Sequence, residues 1–160
     1  VQFLNPTKGT LTLDDVVADI CEFVGTGPDD AYKVIIGSDS QNRYDRGITM
    51  FVTAIIVHRV GKGARYYIHR RPSREIRSLK QRMFTETSYS LLLCQELSKK
   101  IPQICGDHLE IHIDIGEKGA TKSLIKEIVG WVTASGYTAK VKPNAFGASK
   151  VADRYTRSFG

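Results

Sequence analysis

The chain has 160 residues, 23 Lys and Arg against 17 Asp and Glu, and a formal net charge of +6. A chain of that length is expected to form one domain with its own core, residues 1–160. The positive balance favours a polyanionic partner, and no apolar run approaches the roughly 20 residues that cross a bilayer, so no membrane partner is expected.

Val1 is not a natural start, so residues are expected to precede it; no basic-then-apolar leader is visible. The three cysteines, Cys21, Cys94 and Cys105, are odd in number, far apart and set mostly among apolar residues. A disulfide scaffold would be denser, and a reducing cytoplasm is the expected compartment. Cys94, Cys105, His108 and His112 follow the spacing of no common zinc finger.

Residues 1–11 read as an irregular lead-in. Thr12 to Asp15 has the outline of a capping box, with Asp where Glu or Gln is commoner. It opens an amphipathic helix with Leu13, Val16, Val17, Ile20, Phe23 and Val24 on one side, stopped by Gly25, Gly27 and Pro28. A buried strand follows at about 33–40, because Val34, Ile35 and Ile36 run together without alternation. Asn42 to Gly47 is a polar turn. The stretch 48–58 is rich in β-branched residues and reads as a second strand, and 64–70, after the tight Val60–Gly63 connection, as a third. Short connections make these three an antiparallel meander.

From about Ser73 the period turns helical, with Ile76, Leu79, Met83, Leu93, Cys94 and Leu97 on one face, and Pro102 ends the run. A fourth strand is expected at 109–115. A helix at about 121–134, closed by Gly136, leads to a fifth strand at about 137–142. A last helix begins near Ala148 or Ser149. The predicted fold is α/β: a five-stranded mixed sheet in the order 3-2-1-4-5, with strand 2 antiparallel, flanked by helices.

This order draws acidic residues together. Asp39 ends the first strand and Asp114 the fourth, and the two strands are expected to be parallel neighbours about 4.8 Å apart. Glu86 falls on the sheet-facing side of the long helix, at the three- and four-residue steps of Leu79, Met83, Ser90 and Cys94. Asp153 lies about one turn into the last helix, which starts beside the same sheet edge. Taken singly, each has an ordinary reading: Asp39 and Asp114 as turn caps, Asp153 as a helix-dipole partner, Glu86 as an ion-pair member. Together they suit hard divalent cations, which prefer oxygen ligands. Two Mg²⁺ or Mn²⁺ ions could activate a water and stabilise the leaving oxygen of a phosphodiester, with Asp39 bridging both because its strand is central.

The element order and the stretches Ile36-Gly-Ser-Asp-Ser-Gln41, Met83-Phe-Thr-Glu-Thr87, His112-Ile-Asp-Ile-Gly116 and Ala148-Ser-Lys-Val-Ala-Asp-Arg-Tyr155 resemble the ribonuclease H-like superfamily. More narrowly they resemble the bacterial YkuK-like group of predicted ribonuclease H-related nucleases. The resemblance covers nearly the whole chain, with residues 1–30 as an N-terminal helical extension. It implies two-metal phosphodiester hydrolysis with Asp39, Glu86, Asp114 and Asp153 as catalytic and metal-holding residues. Ser40 departs from the Gly that usually follows the first Asp, and segment 140–150 lacks the usual His, offering Lys142 and Lys150 instead. The substrate stays open among RNA, DNA and their hybrid.

Arg70, Arg71, Arg74, Arg77, Lys80 and Arg82 fall within 13 residues. Positive charge at a helix start opposes the dipole, so local stability does not call for it. Arg70, Arg71, Arg74 and Arg77, with Lys142 and Lys150, are the expected phosphate contacts. His112, Trp131 and the tyrosines are expected to pack. The leading reading is a metal-dependent nuclease; the alternative is a catalytically inactive nucleic-acid-binding module on the same fold. An actin-like nucleotide-binding domain would need a second domain, and no phosphate-binding Gly-x4-Gly-Lys loop is present.

Overall fold

The computed structural model describes residues 2–25, 31–106, 108–113 and 121–141. Seven strands and four helices follow in the order β1 (Gln2–Asn5), β2 (Gly9–Thr12), α1 (Leu13–Gly25), β3 (Tyr32–Arg43), β4 (Ile48–Arg59), β5 (Gly63–Arg74), α2 (Leu79–Lys100), α3 (Pro102–Cys105), β6 (Leu109–Ile113), α4 (Lys122–Ala134) and β7 (Thr138–Val141). They form one sheet in the order β2-β1-β5-β4-β3-β6-β7. The β5-β4-β3-β6-β7 portion is the predicted five-strand order. β4 runs antiparallel to β3 and β5, while β6 is parallel to β3 and β7.

The five-strand expectation is corrected to seven, because the stretch read as an irregular lead-in is a β-hairpin. Asn5 closes it: its side-chain oxygen accepts the backbone N–H of Thr7 and of Lys8, each at 2.9 Å, and Gly9 supplies a φ of +76°. Asn5 also donates to the Tyr66 carbonyl at 3.0 Å, fastening the hairpin to β5. The N-terminal extension is therefore hairpin plus helix rather than helical throughout. The turn residues Asn5, Pro6 and Gly9 were the available signal.

A second correction concerns the start of the long helix. β5 continues to Arg74, paired with Ile48, and α2 begins only at Leu79. The buried Thr49 hydroxyl accepts the N–H of Ile76 at 2.8 Å, holding the chain to the sheet. Ser78 then caps α2 by accepting from Gln81 N. At α1 the expected capping box forms: Thr12 N donates to Asp15 and Asp15 N donates to the Thr12 hydroxyl, both at 3.1 Å.

One core lies between the sheet and the helices. Val16, Ile20 and Phe23 of α1, Met83, Leu91, Cys94 and Leu97 of α2, and Ile128 and Val132 of α4 meet Val34 and Ile36 of β3. The other face carries a smaller cluster of strand residues, Ile35, Val52, Ala54, Ile56 and Ile68, to which no described helix contributes. Among the described residues, no helix is long and apolar enough to cross a membrane.

α1 also buries an acid. Asp19, one step from Val16 and Ile20, accepts from Lys8, from Arg65 at 2.9 Å and from the Tyr67 hydroxyl. Burial alone would raise its carboxyl, but the hydrogen bonds from Lys8 and Tyr67 and the charge of Arg65 hold it below the ordinary value.

Candidate active site

β3 carries the site. Its ladder with β4 is unbroken from Tyr32↔Arg59 to Arg43↔Ile48, so its side chains alternate strictly between the two sheet faces. Ser38 and Ser40 turn toward α2. Ser38 Oγ lies 2.9 Å from Thr53 Oγ1 and 2.8 Å from Ser90 Oγ, and Ser40 donates to the Glu86 carboxylate. Asp39, between them, therefore belongs to the opposite face, in the row Asp39–Val52–Arg70.

Two of the four predicted acids thus stand at one level of β3, and they approach it from opposite faces. Both are withdrawn from water: Asp39 is 4% exposed and Glu86 7%. The edge of β3 connects the faces. Its ladder with β6 ends at Gly37↔His112, so among the described residues no strand pairs with that edge beyond Gly37. A small cleft beside the edge is lined by Ser38, Met83, Glu86, Thr87 and Ser90 and, from β6, by Ile111, His112 and Ile113. Asp114 follows Ile113 in the sequence; it lies outside the described residues, as do Asp153, Lys142 and Lys150.

The Glu86 contact explains what a hydroxyl does at position 40. A buried carboxylate is costly unless donors or cations meet it, and glycine has no side chain to offer. Ser40→Ala is expected to lower stability by about 1.5–3 kcal/mol, the worth of a hydrogen bond to a charged group. Urea unfolding of the two proteins measures it.

β6 contributes a second polar group on the Asp39 face. His112 is paired with Gly37 and Glu110 with Ile35. His112 Nε2 lies 3.1 Å from Glu110 Oε1, and Lys33 Nζ lies 3.2 Å from Glu110 Oε2. Burial pushes the Glu110 carboxyl up, but hydrogen bonding to His112 and Lys33 brings it below its ordinary value. His112 is buried, as expected, with Glu110 as its hydrogen-bonding partner; that pairing was not read from the sequence. The possible zinc set is dispersed. Cys94 and Cys105 sit in the helix-side core, His108 stacks on Tyr32, and His112 is on the other face. Among the described residues no three His, Cys, Asp or Glu are grouped to hold a metal.

Strand parity sorts the basic run. Arg70 and Arg74 share the face of Asp39. Arg70 is in its row, two strand spacings or roughly 10 Å away, and Arg74 is in the row Arg43–Ile48–Arg74. Arg71 is on the α2 face, with its guanidinium 4.4 Å from the centroid of the Tyr89 ring. Arg77, between β5 and α2, is ion-paired with Glu75. Of the four arginines, the register brings Arg70 and Arg74 to the Asp39 face.

A central antiparallel meander, two parallel strands beyond it and helices packed on the sheet define the class of protein. The chain belongs to the ribonuclease H-like family, whose model matches residues 15–157. Among curated proteins it is similar to the uncharacterized protein YkuK of Bacillus subtilis (strain 168), at 34% identity over 97% of this chain and 96% of that protein. No solved structure gives a significant match.

Proposed function

We propose that the protein is a metal-dependent nuclease hydrolysing phosphodiester bonds in RNA or DNA, with Asp39, Glu86, Asp114 and Asp153 as its acidic centre. The observation that carries the reading is the burial of Asp39 and Glu86 at one level of the central strand, beside an edge that no described strand pairs with beyond Gly37. Membership of the ribonuclease H-like family supports it.

The donors fit Mg²⁺ or Mn²⁺. Both described acids offer carboxylate oxygens, the ligand type that hard divalent ions select. When bound, such ions supply an activated water and charge stabilisation for the leaving oxygen. The protein's own part is positioning. Ser40 fixes one oxygen of Glu86 by donating to it. Asp39 is held by a continuous β-ladder rather than a loop. Arg70 and Arg74, on the Asp39 face, would neutralise substrate phosphates and set the strand's path. Lys142 and Lys150 are proposed to add to them. The proposed setting is the cytoplasm.

The testing experiment is a cleavage screen of RNA, DNA and hybrid substrates with Mn²⁺ and with Mg²⁺. Cleavage of at least one substrate, absent without divalent ion, is expected. Salt-sensitive binding with no cleavage under any ion would instead favour the inactive binding module.

A further inference from the structure

Among the described residues, one tyrosine is largely exposed. Tyr44, at the tip of the β3–β4 hairpin, is 66% exposed, whereas Trp131 stacks on Phe84 and Tyr89 meets Phe51 edge-on. A single exposed aromatic is unremarkable by itself. Tyr44 differs because a chain of hydrogen bonds holds it. Ile76 N donates to the buried Thr49 hydroxyl at 2.8 Å, and that hydroxyl donates to Asn42 Oδ1. Asn42 Nδ2 then donates to the Tyr44 hydroxyl at 3.2 Å. The turn itself is closed by Arg46 N to Arg43 O at 3.0 Å and by Gly47 at φ +65°. The ring is thus both presented to solvent and anchored to the core of the sheet end.

Its surroundings are cationic. The Arg77 guanidinium lies 5.8 Å from the ring centroid. Arg46 is in the same turn. Asp45 and Glu75 are the neighbouring acids, and Glu75 is ion-paired with Arg77. Tyr44 is five residues on from Asp39 in sequence, the first residue past the end of β3.

An anchored aromatic face among arginines matches a planar, uncharged ring tethered to phosphates. We infer that Tyr44 is a stacking platform for an unpaired base of a single-stranded nucleic acid, whose phosphates run past Arg46 and Arg77. Bases within a duplex are stacked on one another and present no free face, so the platform selects single strands. The inference rests on the nucleic-acid reading above but does not require cleavage.

The test is fluorescence anisotropy without divalent ions, using a labelled single strand and the duplex of the same sequence. Tyr44→Ala is expected to weaken single-strand binding by about tenfold. Duplex affinity should stay unchanged, and Tyr44→Phe, which keeps the ring but loses the hydrogen bond from Asn42, should fall between wild type and Tyr44→Ala. Equal losses on both probes, no loss on the single strand, or a wild type that binds no single strand would each overturn the platform. The two readings fail separately. Tyr44-dependent binding by a protein that cleaves nothing removes the nuclease and keeps the platform; Asp39-dependent cleavage with a neutral Tyr44→Ala does the reverse.

Discussion

Asp19→Ala is expected to destabilise the protein by about 3–5 kcal/mol, the cost of removing one member of a buried charge group. Asp19 is 4% exposed and is shared by Lys8, Arg65 and Tyr67. Those partners come from the β1–β2 turn and from β5, so the one carboxylate ties the hairpin, α1 and the sheet together. Without it the fully buried Tyr67 hydroxyl loses its acceptor, and Arg65, 4.6 Å from the Phe23 ring centroid, loses its counter-charge. Asp19→Asn keeps an acceptor and should cost less. The two variants separate the hydrogen-bonding and charge contributions in urea unfolding.

The same group predicts the sign of an acid effect. The folded-state carboxyl of Asp19 is held below its ordinary value. The unfolded chain therefore takes up the proton first as pH falls. The stabilisation is fully present above the unfolded value, about 3.9, and is lost as pH drops through the folded one. The gap in urea midpoint between wild type and Asp19→Asn should be widest near neutrality and narrow below about pH 4. A gap that widened on acidification would contradict the assignment.

Asp39→Asn is expected to reduce divalent-dependent cleavage by at least about a hundredfold, the scale of losing one preorganised charged group from a reaction centre. The substitution keeps the side chain's size and removes a charge from a buried site shared with a second carboxylate. The metal-free protein should therefore unfold at the wild-type temperature or above it. A clear fall in thermal midpoint, with cleavage intact, would make Asp39 a structural residue. Measuring both quantities on one preparation separates the outcomes.

Long, one-period stretches were the most legible in the sequence. Val34 to Ile36, the β-branched run from Ile48 and the apolar steps of α2 gave the five-strand order with boundaries a few residues off. The hairpin was hidden because four-residue strands carry too little alternation, leaving Asn5, Pro6 and Gly9 to mark it. Asp19 was hidden by its own pattern. It occupies the apolar face of α1, where its partners lie 11, 46 and 48 residues away and leave no local trace. Strand parity explains the partial picture of the site. The Ser38-Asp39-Ser40 stretch places Asp39 and Glu86 at one level, but only the contacts of Ser38 and Ser40 reveal that they flank β3 from opposite faces. Arg70 and Arg71 are likewise adjacent in sequence and on opposite faces.

On the proposed reading, Asp39 and Glu86 serve one cation centre across the edge of β3. The decisive measurement is a double-mutant cycle on the cleavage rate, with wild type, Asp39→Asn, Glu86→Gln and the double variant assayed under Mn²⁺. Residues acting as a unit are non-additive, so the double variant should be no slower than the slower single variant. Losses that multiply, as for two independent sites, would contradict a shared centre.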